Sequence, residues 1–254
     1  VLADEPHLLL SLETATRAGS VAITRGATLL ASRSGDAQVS HSTHLLDQIK
    51  SALDEARLKL SEIDYFAVAT GPGSFTGLRI GLATVKSFAA TLKRQCVGIP
   101  TLHAIAHAAG ESSCTIAVLP AGRGEVYAQS FAVSSAGLVQ SLDTPAHLAP
   151  RQLLETVAPI RALKWAGEGA HVHAAAIRAC ALAEGIEFRV DDCQDRMSVD
   201  ENQWTLIAGV EVLAASVAHL ARGCIRSGKA SLPQDVQALY VRPSDAELKE
   251  QCRD

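Results

Sequence analysis

Aromatic residues make up only 4% of the 254-residue chain, with two Trp, three Tyr and five Phe. That leaves little material for a base-stacking platform of the kind that binds single-stranded nucleic acid. A basic excess is also lacking: 23 Lys and Arg stand against 27 Asp and Glu, a formal charge of −4. The electrostatic footprint of a stand-alone nucleic-acid binder is therefore missing. The six cysteines include no Cys-x-x-Cys, which argues against a zinc ribbon or a thioredoxin-type pair. No run of about 20 residues is free of charge and proline, as a membrane span requires. The opening Val-Leu-Ala-Asp-Glu-Pro is acidic where a secretory signal is basic. Reduced thiols and a cytoplasmic setting are expected. What is present is ordinary: 48% apolar and 20% charged residues, enough for one large or two smaller packed domains.

Hydrophobic periodicity divides the chain. Leu8–Leu12, Gly19–Thr24 and Ala27–Ala31 are short apolar runs separated by turn residues, which predicts a three-strand meander. Ser42–Arg57 switches to helical spacing, with Leu45, Ile49, Ala52 and Ala56 on one side and Ser42 as N-cap. A strand over Ile63–Ala69 ends at Gly71-Pro72-Gly73-Ser74 and leads into a helix over Thr76–Leu92 with Leu78, Leu82, Val85, Ala89 and Leu92 as its seam. Cys96–Ile99 reads as a strand and Leu102–Ala109 as a helix. The pattern then restarts: strands at Thr115–Leu119, Glu125–Phe131 and Leu138–Ser141, a helix at Arg151–Val157, a strand at Ala162–Ala166 and a helix at Val172–Ala183. A long helix is expected over Glu201–Arg222, with Leu206, Val210, Leu213, Val217 and Leu220 in line. Two similarly built α/β lobes follow, residues 1–105 and 106–254.

Gly71-Pro-Gly-Ser-Phe-Thr-Gly-Leu-Arg79 joins a strand to a helix. Its glycines permit tight turning, and amides at a helix start attract anions, so Gly71, Gly73 and Ser74 are candidate cofactor-binding residues. The segment lacks the Gly-Lys-Ser/Thr of a P-loop, the dinucleotide spacing and the nucleophile-elbow spacing. It reads first as a structural turn. His103 and His107 have the i, i+4 spacing of two metal ligands, but without a third ligand they read as partly exposed helix histidines. His41 and His44 fall at a helix start and His171 and His173 in a loop. Glu13 ends the first strand without a carboxylate partner, and Arg123 and Glu125 read as a solvated pair. No Ser/His/Asp or Cys/His set is visible, and neither a catalytic residue nor a metal site is assigned.

Several segments together resemble the TsaB family. They are Leu8–Ile23, the His41-Ser-Thr-His-Leu-Leu46 helix start, Ala67 through Gly81 with Ala83–Ala89, Arg123-Gly-Glu-Val-Tyr127, and Ala238-Leu-Tyr-Val-Arg242. The likeness is strong over 8–134 and thin over 135–237. It implies a two-lobed actin-like, ribonuclease-H-like duplication of the ASKHA superfamily with a reduced second lobe. It also implies a non-catalytic role. Such proteins support a related catalytic subunit, TsaD, and an ATPase, TsaE, in N6-threonylcarbamoylation of adenosine 37 of ANN-decoding tRNAs. The tRNA contact falls mainly to the partner, and no membrane is involved. No cofactor is firmly implied, with weak ATP or ADP binding left open. Members formerly carried a glycoprotease label, and no motif here supports peptidase chemistry.

Departures from the paralogue pattern carry weight. The metal-binding His-x-x-x-His of TsaD-like chains falls here on Thr101 and Ile105, with His103 and His107 two residues out of register, about 200° around a helix. Glu13 stands where Asp is common, and Pro120 and Gly122 replace the usual Asp and Arg. The resemblance places the TsaD contact on the first two helices, at Leu45, Ile49, Leu53, Leu78, Leu82, Val85, Phe88 and Ala89, with a homodimer through the same face when TsaD is absent. The competing expectations are an actin-like nucleotide-dependent transferase or hydrolase acting alone through Glu13 and the glycine loop, and a partner protein for something other than TsaD, such as a cell-wall or secretion factor.

Overall fold

The structure, a computed structural model, describes residues 6–35, 41–191, 201–209 and 212–241, with the backbone alone at 41–43. Val210, Arg242, Cys193 and Cys252 lie outside the described residues. The chain divides into two compact units, 1–108 with 209–238, and 109–208 with 239–254. The sequence pattern places a single division at 105/106. Residues 209–238 return to the first unit.

The first unit is a five-stranded sheet, β3-β2-β1-β4-β5. β1 (Leu8–Glu13), β2 (Ser20–Arg25) and β3 (Thr28–Ser34) form the antiparallel meander, and β4 (Tyr65–Ala69) and β5 (Gln95–Ile99) add in parallel. Parallel pairing demands crossovers, supplied by α1 (His41–Ala56) and α2 (Phe75–Leu92). α1 starts one residue before the expected cap, so Ser42 sits inside its first turn. Period-two alternation sends Leu10 and Leu12 into a core with Leu45, Ile49, Leu82, Val85 and Phe66. The opposite side of β1 meets α7 (Leu213–Arg226), where the buried Ser11 hydroxyl donates to Ala214 O at 2.8 Å. α3 (Thr101–Ala108) packs on α7. Arg33 on β3 pairs with Glu55 and donates from Nε to Ser51 Oγ at 2.9 Å, pinning α1 to the sheet edge.

The second unit is built on β6 (Ser112–Gly122), β7 (Glu125–Val133), β8 (Val139–Ser141), β9 (Ala146–Leu148), β10 (Leu163–Ala166), β11 (Glu187–Asp191) and β12 (Gln203–Ile207). Its path runs β11-β12-β10-β6-β7-β8, with β9 on β7. This sheet is larger than the first. The reduction lies in its helices, α4 (Pro150–Val157), α5 (Glu168–Val172) and α6 (Ala174–Ala183), which run 8, 5 and 10 residues. The expected single helix at 172–183 is thus split at His173. The expected helix over 201–222 is corrected too: Gln203–Ile207 is a strand buried at every position, and the helix starts only at Leu213. Trp165 and Trp204 anchor this core with ring centroids 5.5 Å apart, and Trp204 Nε1 donates to Ile160 O at 2.8 Å.

Candidate functional site

The β1–β2 turn and the glycine loop form one locked assembly. Glu13 is 1% exposed. Its Oε1 accepts the Ala15 amide at 2.5 Å and the Thr16 amide at 2.8 Å, and its Oε2 accepts the Thr16 hydroxyl at 2.6 Å. The carboxylate is committed to its own turn. Ser74 donates its amide to Ala15 O at 2.8 Å, while its hydroxyl caps α2 by accepting the Gly77 amide at 3.2 Å. Gly71 donates to Thr101 Oγ1 at 3.1 Å, and Thr101 N–H returns a bond to Gly71 O at 2.8 Å.

Two glycines are required by close approach. Gly73 has φ +156°, and a Cβ there would lie 2.6 Å from Ala15 O. A Cβ on Gly81 would lie 2.2 Å from Thr14 Oγ1, whose hydroxyl donates to Gly77 O at 2.8 Å. The structure thus sets Gly73 and Ser74 against Ala15, in the turn that Glu13 holds, and Gly71 against Thr101. The Gly71 amide and both the amide and hydroxyl of Ser74 serve internal packing.

Thr101 and Ile105, expected at the paralogue metal-ligand positions, are 0% and 1% exposed. One clamps the glycine loop and the other is an apolar core side chain, so these residues do not fit a metal there. Among the described residues no group of three or more His, Cys, Asp or Glu is arranged to hold a metal ion. His103 and His107 are half-buried, and burial pushes the His103 pKa down. His171 and His173 lie at the end of α5 and at its junction with α6 rather than in a loop. Glu125 Oε2 lies 2.9 Å from His147 Nε2.

The residues expected at the partner interface lie on the sheet-facing sides of α1 and α2. Leu45, Ile49, Leu53, Leu78, Leu82, Val85 and Ala89 are all buried in the first unit, and Phe88 is half-buried against the same core. An apolar seam on a helix beside a sheet satisfies itself on that sheet first. The outward side of α2 carries Thr76, Ile80, Ala83, Ser87 and Ala90, of which Ile80 is half-buried with part of its side chain on the core and the rest are exposed. On α1, Leu46 is 63% exposed. Phe75 lies under the Arg79 guanidinium at 3.9 Å. These positions repeat at spacings of four and three, the complement of the Leu78–Ala89 seam. That complement is the signal from which they could have been read.

Comparison with known proteins decides the relationship. The family model of TsaD, tRNA N6-adenosine threonylcarbamoyltransferase, matches residues 35–240. The chain belongs to the TsaD family. Within it, its similarity is to TsaB. It is 30% identical over 145 residues to the tRNA threonylcarbamoyladenosine biosynthesis protein TsaB of Escherichia coli K12, covering 56% of this chain and 62% of that one. It is 35% identical over 123 residues to TsaB of Haemophilus influenzae, covering 47% and 51%. The matched stretch therefore spans only about half to three-fifths of these curated relatives.

Among solved structures, a Pseudomonas aeruginosa protein described as similar to peptidase YEAZ superposes with TM-score 0.73 at 25% identity, over 93% of this chain and 100% of that one. YeaZ from the same organism gives 0.72 at 23%, over 92% and 99%. The fold of this TsaB-type family member is the two-lobed actin-like one. Among the described residues no helix is long and apolar enough to cross a membrane.

Proposed function

We propose that this chain is a non-catalytic subunit in the formation of N6-threonylcarbamoyladenosine at position 37 of ANN-decoding tRNAs, supporting a TsaD-like catalytic chain together with a TsaE-like ATPase. The observation that carries the reading is the internal use of the groups an active member would turn toward phosphate or metal. Glu13 holds its own turn, Ser74 binds Ala15, and Thr101 clamps Gly71. A site whose polar groups already satisfy one another has nothing preorganised for a developing charge. The same features argue against the competing reading, an actin-like transferase or hydrolase working alone.

The docking face in this reading is the outward side of α1 and α2: Leu46, Thr76, Ile80, Ala83, Ser87 and Ala90. Small residues at four-three spacing suit close helix-on-helix packing. The same face forms a homodimer when the partner is absent, since a self-complementary patch favours twofold pairing. The tRNA is held mainly by the partner, consistent with the charge of −4, and the setting is cytoplasmic. The test is co-purification with a TsaD-like chain using Leu46→Glu and Ala83→Glu. Loss of the complex with unchanged circular dichroism supports the assignment. Undiminished binding by both variants contradicts it.

A further inference from the structure

On the other face of the first sheet, away from α1 and α2, the β2–β3 hairpin, α3 and α7 line a half-open pocket of about 190 Å³. Thr24 and Leu29 line it from the hairpin, His107 from α3, and Ser216, His219 and Arg222 from α7. His107 Nδ1 lies 2.9 Å from Ser216 Oγ, and the rings of His107 and His219 stack at 4.3 Å with a 31° tilt. The Nε of Arg222 is buried and has no hydrogen-bond partner among the described residues. Among the described residues no acidic side chain lines the pocket.

With no carboxylate beside it among the described lining residues, the planar donor fork of Arg222 matches an oxyanion. The size is selective. Organic cofactor pockets usually run to about 300 Å³ or more, whereas 190 Å³ admits a tetrahedral or planar oxyanion with its bridging waters. Burial lowers the pKa of His219, and the charges of Arg222 and Arg226 lower it further, which marks a positive field at this spot.

We propose that this pocket is a binding site for a small oxyanion, phosphate or carboxylate, held by the Arg222 guanidinium with His219 and Ser216 beside it. It lies within the first unit, remote in sequence from the glycine loop, and does not depend on the proposed subunit role.

The test is a proton–nitrogen NMR titration of the full chain with inorganic phosphate, acetate and chloride at matched ionic strength, following the His107 and His219 ring protons. Saturable shifts with phosphate or acetate but not chloride are expected, and whichever saturates first names the ligand chemistry. Arg222→Met should weaken that binding about tenfold or more, the loss typical of a charge-assisted bond, while Arg222→Lys retains part of it. Should Arg222→Met fail to fold, the Lys variant and the wild-type chloride control still decide. Shifts no greater than those with chloride, or equal affinity in the Met variant, overturn the site.

Discussion

Gly81→Ala is the sharpest perturbation of the lock between the glycine-loop helix and the first turn. The new methyl carbon would sit 2.2 Å from Thr14 Oγ1 and 3.4 Å from Thr14 Cβ. Thr14 is fully buried and its hydroxyl donates to Gly77 O at 2.8 Å, so it must move and lose that bond. Overpacking costs about 1–3 kcal/mol, and an orphaned buried hydroxyl about 1–3 kcal/mol. The gain in helix propensity from Gly to Ala offsets about 1 kcal/mol. The net expectation is a destabilisation of about 3 kcal/mol. In a Thr14→Ala background the close contact disappears and leaves an ordinary 3.4 Å approach to Cβ. There Gly81→Ala should be neutral or stabilising by up to about 1 kcal/mol. Urea unfolding followed by circular dichroism on the four proteins gives the coupling, expected near 3 kcal/mol. An equal cost of Gly81→Ala in both backgrounds would show that the contact with Thr14 is not what requires glycine.

Other outcomes follow from the same packing. Leu82→Asp and Val85→Asp should unfold the first unit rather than cleanly detach a partner, because both side chains lie in its core and a buried carboxylate is expensive; circular dichroism of the purified variants reads this directly. Glu13→Ala should cost about 1–3 kcal/mol in urea unfolding, since the Ala15 and Thr16 amides and the Thr16 hydroxyl lose their acceptor. Burial pushes the Cys96 and Cys114 thiols up from 9.0 to about 11. The raised folded value means that stability is kept below about pH 9 and falls as the pH climbs toward 11, where unfolded thiols ionise and folded ones do not. Thiolate absorbance at about pH 10 should therefore be lower in native than in urea-unfolded protein.

The first unit was legible because its signals are local and agree. The meander turns at Arg25-Gly26, where Gly26 has φ +56°, and the α1 and α2 seams keep one period along their length. The direction of those seams is not written in the sequence. Composition shows that a helix has an apolar side, but only the sheet packed against it shows that the side is already occupied. The segment 201–222 failed for a different reason. Leu206 falls by coincidence on the same helical phase as Leu213, Val217 and Leu220, yet it belongs to a five-residue strand buried on both faces. A short continuous apolar run carries no period that separates strand from helix.

The locked turn was half visible. Gly71, Gly73 and Ser74 stood out as residue types, whereas Thr14 and Thr101 became recognisable only once the fold set them against Gly81 and Gly71. His107 and His219 meet across 112 positions of sequence, a separation no local pattern spans.

The most direct measurement is threonylcarbamoyl transfer to an ANN-decoding tRNA, assayed with this chain alone, with a TsaD-like chain alone, and with both plus the TsaE-like ATPase. A scaffold gives no modified adenosine by itself and strong stimulation in the mixture, with the stimulation lost in Ala83→Glu. Robust transfer, or steady ATP turnover, by the isolated chain would contradict it.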